Sequence, residues 1–274
     1  MWVTPRPRGV EIPAFYGSYY THVVPTGAPT ASRARKLVES IFPTPSSARK
    51  LRQRREEVLP RSLHVDGRSV LEIGCGNGVN LLALRRLGWT VEGHELDSTA
   101  AEVATKRLGR YVERGPVENV DWNGRRFDVV LTNHVLEHLE DPAGVVATCV
   151  SLLKPGGAMV NFTPNAHSLS RKTAGRRWRG FEPPRHLQVY GPKSVRRLLE
   201  TAGLMVETIE TSFASDGYLA SRSVLPDGSP PGPRKTAMRL ATSVVAQVLA
   251  DIVGVAQRDV GGELLAVGRR PFET

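Results

Sequence analysis

Two groups of residues in this chain could do chemistry. The first is a set of closely spaced glycines bracketed by acids: Glu72, then Gly74-Cys75-Gly76-Asn77-Gly78, then Glu95. Glycine permits positive φ and lets a ligand reach the backbone with no Cβ in the way. A helix behind such a turn offers unpaired N–H groups to a polar ligand. An acid about 20 positions on is the usual partner of ribose hydroxyls, and Glu95 stands there. The second group is the histidines. His138 and His186 could accept a proton near neutral pH. His186 sits in Pro183-Pro184-Arg185-His186-Leu187, a segment poorly suited to a core. His138 reads equally well as a histidine bonded to backbone, and His134 and His22 are weaker candidates. Glu137 beside His138 could ligate a divalent ion, but two neighbouring groups make no site, and no metal is assigned.

These residues need elements to hold them. Val70-Leu71-Glu72-Ile73 is a short apolar run and predicts a buried strand of a parallel sheet. Val79, Leu82, Ala83 and Leu87 follow at helical spacing, and Gly88 stops the helix. Strand, glycine turn, helix is the nucleotide-binding opening of a doubly wound α/β fold. A second strand over 89–95 ends at Glu95, and a helix over 97–108 follows. Residues 111–115 predict a brief third strand and 126–134 a fourth. Asp141 is a good N-cap with Pro142 at the first helical position. A turn at 154–157 leads to a fifth strand over 158–163. Residues 193–202 predict a helix with Val195, Leu198, Leu199 and Ala202 inward. A sixth strand over 204–209 and a last one over 262–268 complete the set.

The glycine spacing separates two kinds of cofactor. A dinucleotide site reads G-x-G-x-x-G. Here the third glycine arrives one residue early, at Gly78, and Val79 stands where glycine is wanted. The pattern E-x-G-x-G-x-G closing the first strand resembles motif I of the class I S-adenosylmethionine-dependent methyltransferases. The series Glu137-His138, Asp141-Pro142, Lys154-Pro155-Gly156-Gly157 and Thr163-Pro164-Asn165 strengthens it. With Pro183 to Leu187, it resembles the small-molecule branch that includes ubiquinone-biosynthesis O-methyltransferases. The likeness runs from about Val70 to Thr211.

The resemblance implies a Rossmann-like, doubly wound, seven-stranded and mostly parallel sheet with an antiparallel last strand, preceded by an N-terminal helical extension. It implies S-adenosylmethionine as cofactor and S-adenosylhomocysteine as product. Glu72, Gly74, Cys75, Gly76, Asn77 and Gly78 would line it, Glu95 and Leu96 would take the ribose end, and Asn133 and His134 would close it beyond the fourth strand. Family members often carry Asp where this chain has Pro116. Proline cannot make that side-chain bond, so adenine would rest on apolar contact and the Val117 amide. Ligands in such sheets lie over the carboxyl ends of the strands, which brings His138 and His186 into question as the base.

The 274 residues divide, on this reading, into an extension with cap helices over 1–62 and one methyltransferase domain over 63–274, with a helical insertion at about 217–258. The net charge is +10. Nine Lys or Arg and a single acid, Glu182, lie between Arg171 and Arg197. Most form a solvated face, but Arg179 and Arg185, with Trp178, Tyr20 and His22, are candidates to hold an anionic acceptor. The acceptor is expected to be small or lipid-linked and methylated at a hydroxyl. A nucleic-acid methyltransferase is the alternative the charge favours. Against it, Asn133-His134-Val135-Leu136 lacks the [DN]-P-P-[YF] pattern of enzymes acting on base amines. A non-catalytic cofactor-binding scaffold is the third reading. Two cysteines, Cys75 and Cys149, suggest no disulfide framework. The first residues lack the apolar core of a signal peptide. A cytoplasmic protein is expected, with peripheral membrane contact through the apolar face at about 239–258 left open.

Overall fold

The computed structural model describes residues 65, 67–212, 238 and 260–272. Its sheet has seven strands: β1 Ser69–Ile73, β2 Thr90–Glu95, β3 Glu113–Arg114, β4 Phe127–Asn133, β5 Leu153–Pro164, β6 Met205–Ser212 and β7 Glu263–Arg269. Their spatial order is β3-β2-β1-β4-β5-β7-β6. β1 to β5 pair in parallel, and β7 runs antiparallel between β5 and β6. The expected fold class is the one observed. The chain winds outward from β1 to β3 and then returns to start again at β4. The switch point therefore lies between β1 and β4, where such sheets open a crevice.

Among the described residues five α-helices flank the sheet: α1 Val79–Arg86, α2 Ser98–Leu108, α3 Pro142–Ser151, α4 Leu169–Ala174 and α5 Pro192–Thr201. The strands bury both faces, and successive residues serve opposite cores. In β4, Val129 and Leu131 join Leu81, Leu84, Ala101, Ala104 and Leu108 on one side. Phe127 and Val130 join Val145, Val146, Cys149, Val195 and Leu199 on the other. Capping matches the sequence signals. Asp97 accepts from the Ala100 N–H at 2.7 Å and Asp141 from the Gly144 N–H at 3.0 Å.

The structure corrects three boundaries and one face. α1 buries Leu81 and Leu84, whereas Val79 and Leu87 are exposed. The apolar residues of that helix point in several directions between Asn80, Arg85 and Arg86, so spacing alone does not choose its inward side. The close approach of Gly78 to Ala104 of α2 helps set the rotation: a Cβ on Gly78 would meet the Ala104 Cβ at 3.2 Å. β3 shrinks to two residues. β5 begins at Leu153 rather than 158, because the glycine turn is stitched to the end of the chain. Gly156 N–H donates to Arg270 O and Arg270 N–H to Gly157 O. β6 runs on to Ser212, paired along β7.

The helices expected before residue 62, Tyr20 and His22, and the insertion at 217–258 lie outside the described residues, Met238 apart. Among the described residues no helix is long and apolar enough to cross a membrane. Both cysteines are buried and unbridged.

Gly74 holds the glycine turn against the segment after β4. Its φ is +68°, and a Cβ there would lie 2.6 Å from Val135 Cγ2. Gly74→Ala is expected to destabilise the fold by about 1–3 kcal/mol through strain and overpacking. A thermal melt indistinguishable from that of the parent protein would show that Val135 yields freely.

Candidate active site

The β1–α1 turn puts Gly74, Gly76 and Gly78 all at positive φ, between 54° and 73°. No other residue type adopts this succession readily. The loop folds back on β2. Gly76 N–H donates to Glu95 Oε2 at 2.6 Å, and Asp97 N–H donates to Glu95 Oε1 at 3.1 Å. Burial raises the Glu95 carboxyl above its ordinary value, and the Asp97 and Gly76 amides oppose that rise. Glu72 lies behind the loop and is 1% exposed; it accepts from Asn80 Nδ2 at 2.9 Å. Cys75 turns its side chain into the core, toward Leu81 and Gly93, so only its backbone borders the crevice. Leu96 stands out at 65% exposure. Pro116 is exposed, while the Val117 side chain is buried in the core and opens a short 3-10 turn. The apolar contact expected from Val117 is thus used by the protein interior, where its carbonyl oxygen accepts from Trp122 Nε1 at 3.2 Å. Asn133 closes β4, and its Oδ1 is buried with no hydrogen-bond partner among the described residues.

Beyond Asn133 the chain turns sharply, with His134 in left-handed backbone at φ 56°. A 3-10 turn, Leu136–His138, follows. This segment is zipped to the distant stretch 185–190. Leu187 N–H donates to Glu137 O at 2.8 Å, and Gln188 Nε2 donates to Leu136 O and Leu139 O, both at 3.2 Å. Tyr190 adds a backbone bridge with Asn165. The zip brings His138 and His186 edge to face, with ring centroids 4.6 Å apart. One polar atom from each of Glu137, His138 and His186 lies within 4.8 Å of the others. Such a cluster can share a cation, and a proton is the one a hydroxyl releases.

The protonation states follow from the contacts. Glu137 is fully buried; Oε1 meets His134 Nδ1 at 3.0 Å and Oε2 accepts from Thr163 Oγ1 at 2.9 Å. Burial alone would raise its carboxyl. The bond and charge of His134, with His138 and His186 nearby, outweigh burial and hold it at about 2. His138 Nδ1 lies 3.1 Å from Arg185 O, and His186 Nδ1 2.7 Å from Gly180 O. A nitrogen facing a carbonyl must carry the proton, so in both neutral rings the lone pair is on Nε2. Burial lowers His138 to about 4 and lowers His186 as well, against the opposing pull of Glu137.

Three sequence expectations change here. His134 is engaged by two carboxylates rather than aimed at a cofactor: its Nε2 lies 2.9 Å from Glu263 Oε1. Trp178 is 1% exposed and donates its Nε1–H to Ser170 Oγ at 3.2 Å, so it is core and not a wall for an acceptor. Arg179 and Arg185 both close on Glu182, at 2.9 and 2.6 Å. Their charge is partly neutralised before any anion arrives. Glu137, Thr163 and Glu263 were missed as a group. Glu137 lies in a visible motif, but nothing local links it to a residue at the start of the last strand.

The fold and the glycine turn define a class I methyltransferase. Residues 45–209 match the methyltransferase domain family, and the chain belongs to it. Among its relatives, a ubiquinone biosynthesis O-methyltransferase of Thiobacillus denitrificans is 35% identical over 155 residues, covering 52% of this chain and 67% of that one. A protein of the same description from Escherichia coli is 29% identical over 157 residues, covering 54% and 62%. The chain spans between about half and two thirds of the length of the curated relatives it matches. Phosphoethanolamine N-methyltransferase 2 of Haemonchus contortus, solved with S-adenosylmethionine, superposes with a TM-score of 0.55 at 15% identity, covering 80% of this chain and 52% of that one. At that identity the likeness is one of fold.

The cofactor of this enzyme is S-adenosylmethionine, and the residues present fit it. The glycine turn is the loop that would lie along its amino-acid part. The lone Asn133 Oδ1 is an acceptor awaiting a donor. Glu95 keeps lone pairs for hydroxyls, and exposed Leu96 offers an apolar surface for a base. Gly76→Arg is expected to abolish binding of S-adenosylhomocysteine in calorimetry by filling the crevice. Glu95→Ala is expected to weaken it by ~1.5–3 kcal/mol, the usual worth of a hydrogen bond to a charged group. Unchanged affinity in both variants would remove these residues from the site.

Proposed function

We propose that this chain transfers the methyl group of S-adenosylmethionine to a hydroxyl of a small or lipid-linked acceptor. The observation that carries this is the pair of histidines beside the crevice, His186 buried and His138 half-buried, both shifted toward the neutral form. Bound cofactor supplies a carbon already activated by the sulfonium, so the protein must supply position and a place for the acceptor's proton. His186 and His138 present Nε2 lone pairs for that proton. Glu137, held as an anion, stabilises the imidazolium that results. Val135 touches Gly74, so the segment bearing the histidines is in contact with the cofactor turn. The curated relatives named as O-methyltransferases support oxygen as the target. Arg179 and Arg185 keep 22% and 28% of their side-chain surface exposed and could border an anionic part of the acceptor. The methyltransferase domain is taken to begin near residue 63, with the preceding segment as an extension bearing the cap helices.

The test is methyl transfer to a panel of phenols and other hydroxyl compounds, read by mass. His186→Ala is expected to lower turnover by roughly 10²–10⁴-fold, the usual contribution of a general base, with little change in cofactor affinity. His138→Ala serves as the comparison; full turnover in both variants would leave the reaction without a histidine base. The pH profile gives an independent check. Both histidines are shifted below their ordinary value of 6.5. Neutral rings therefore persist as the pH drops through 6.5, and turnover is expected to keep its plateau there. An acidic limb centred at or above 6.5 would contradict a neutral pair.

A further inference from the structure

The end of β4 holds a histidine that the reaction above does not use. His134 spans two carboxylates: Nδ1 lies 3.0 Å from Glu137 Oε1 and Nε2 lies 2.9 Å from Glu263 Oε1. Glu137 is 0% and Glu263 2% exposed, so these are buried acids. A neutral imidazole has one N–H and one lone pair. Placed between two carboxylates, it would set that lone pair against an anionic oxygen. Only the imidazolium donates at both ends, and two buried carboxylates need such a cation between them.

We propose that His134 is a fixed imidazolium, a positioning residue that clamps β4 to β7 and holds Glu137 as an anion, so that the acceptor's proton goes to the histidine pair. The proton-routing part rests on the O-methylation reading; the clamp does not. Glu137 is the link. Its Oε2 is engaged by Thr163 of β5, and its carbonyl oxygen holds Leu187, next to His186. Fixing Glu137 therefore fixes the loop that carries the base.

The ionisable groups around His134 come from each neighbouring element. Glu137 and His138 follow it in the turn, Glu263 faces it from β7, and His186 adds a group from the 185–190 stretch. Burial disfavours the charged ring, but the bonds and charges of Glu137 and Glu263 outweigh it and raise His134 to about 10. A folded value above the ordinary 6.5 has a definite sign. The clamp's stabilisation is complete below 6.5 and is lost as the pH rises toward 10. With 39% of the His134 side-chain surface open, the change is expected to be gradual.

The test uses long-range proton–nitrogen NMR on the full, uniformly labelled chain with S-adenosylhomocysteine, from about pH 6 to about pH 9. The His134 signals are assigned by their loss in His134→Gln. Both ring nitrogens are expected to show the shifts of an imidazolium throughout, while His138 and His186 show the neutral Nδ1–H form. A His134 that titrates near 6.5, or is neutral at pH 7.5, overturns the proposal. Glu263→Gln, which removes one of the two carboxylates, is expected to lower the His134 midpoint by about one unit or more, so that the neutral ring grows in toward about pH 9; a variant that stays an imidazolium to the same extent as the parent across the range also overturns it. In turnover, His134→Gln is expected to lose at least ~10-fold in kcat with cofactor affinity nearly unchanged, and His134→Arg, which keeps the charge, to recover part of it. Should NMR show the cation while no hydroxyl compound is methylated, the clamp stands and the O-methylation reading falls.

Discussion

One buried carboxylate carries much of this site. Glu137 is closed off from water and yet ionised, and an uncompensated charge in that position is costly. The structure compensates it with bonds from His134 after β4 and from Thr163 on β5. Each partner comes from a different piece of chain. The need to satisfy one anion thus pulls together the end of β4, the end of β5, the start of β7 and the 185–190 stretch. The same residue offers its backbone oxygen to Leu187. The side chain thus ties the turn to β5 and the main chain ties it to the 185–190 stretch, which keeps the histidine pair together.

The cofactor turn depends on a different constraint, that of space. Gly74 and Gly78 are each closely approached, the first by Val135 and the second by Ala104. These contacts bind the turn to the β4 segment on one side and to α2 on the other. Glu95 then ties Gly76 to the end of β2. The crevice is thus fixed by contacts among the chain's own residues, as expected for a site that must orient a reacting carbon to within fractions of an ångström. At the opposite end of the strands a separate latch, Asp128 with Ser69 and Lys154, joins β1, β4 and β5. The lattice of the sheet is therefore pinned at both ends, and at the carboxyl end Asn133 Oδ1 has no partner among the described residues.

Charge is handled economically around the acceptor side. The arginine-rich stretch after residue 170 looks, in one dimension, like a field for anions. In three dimensions Glu182 sits at its centre in left-handed backbone, and Arg179 and Arg185 close on it. Its carboxylate also faces His186 Nε2 at 3.7 Å. The arginines therefore help to order the histidine loop, through an acid whose position a sequence cannot reveal.

Some features needed only the sequence. The glycine spacing, Glu95, the apolar strand runs and the Asp141-Pro142 cap are local signals, set by backbone sterics and short-range hydrogen bonding, and they place the cofactor half of the site. Other features follow from contacts between residues far apart in the chain. The inward face of α1 was ambiguous because its apolar residues point in several directions, and packing on α2 helped to choose. Trp178, His134 and the arginine pair carried plausible roles in isolation, but burial and partners assigned them others. His134 meets Glu263 across 129 positions of sequence, and no periodicity or motif encodes such a meeting. Tertiary structure decided it because the electrostatic cost of burying two acids is paid by whichever cation the fold brings between them.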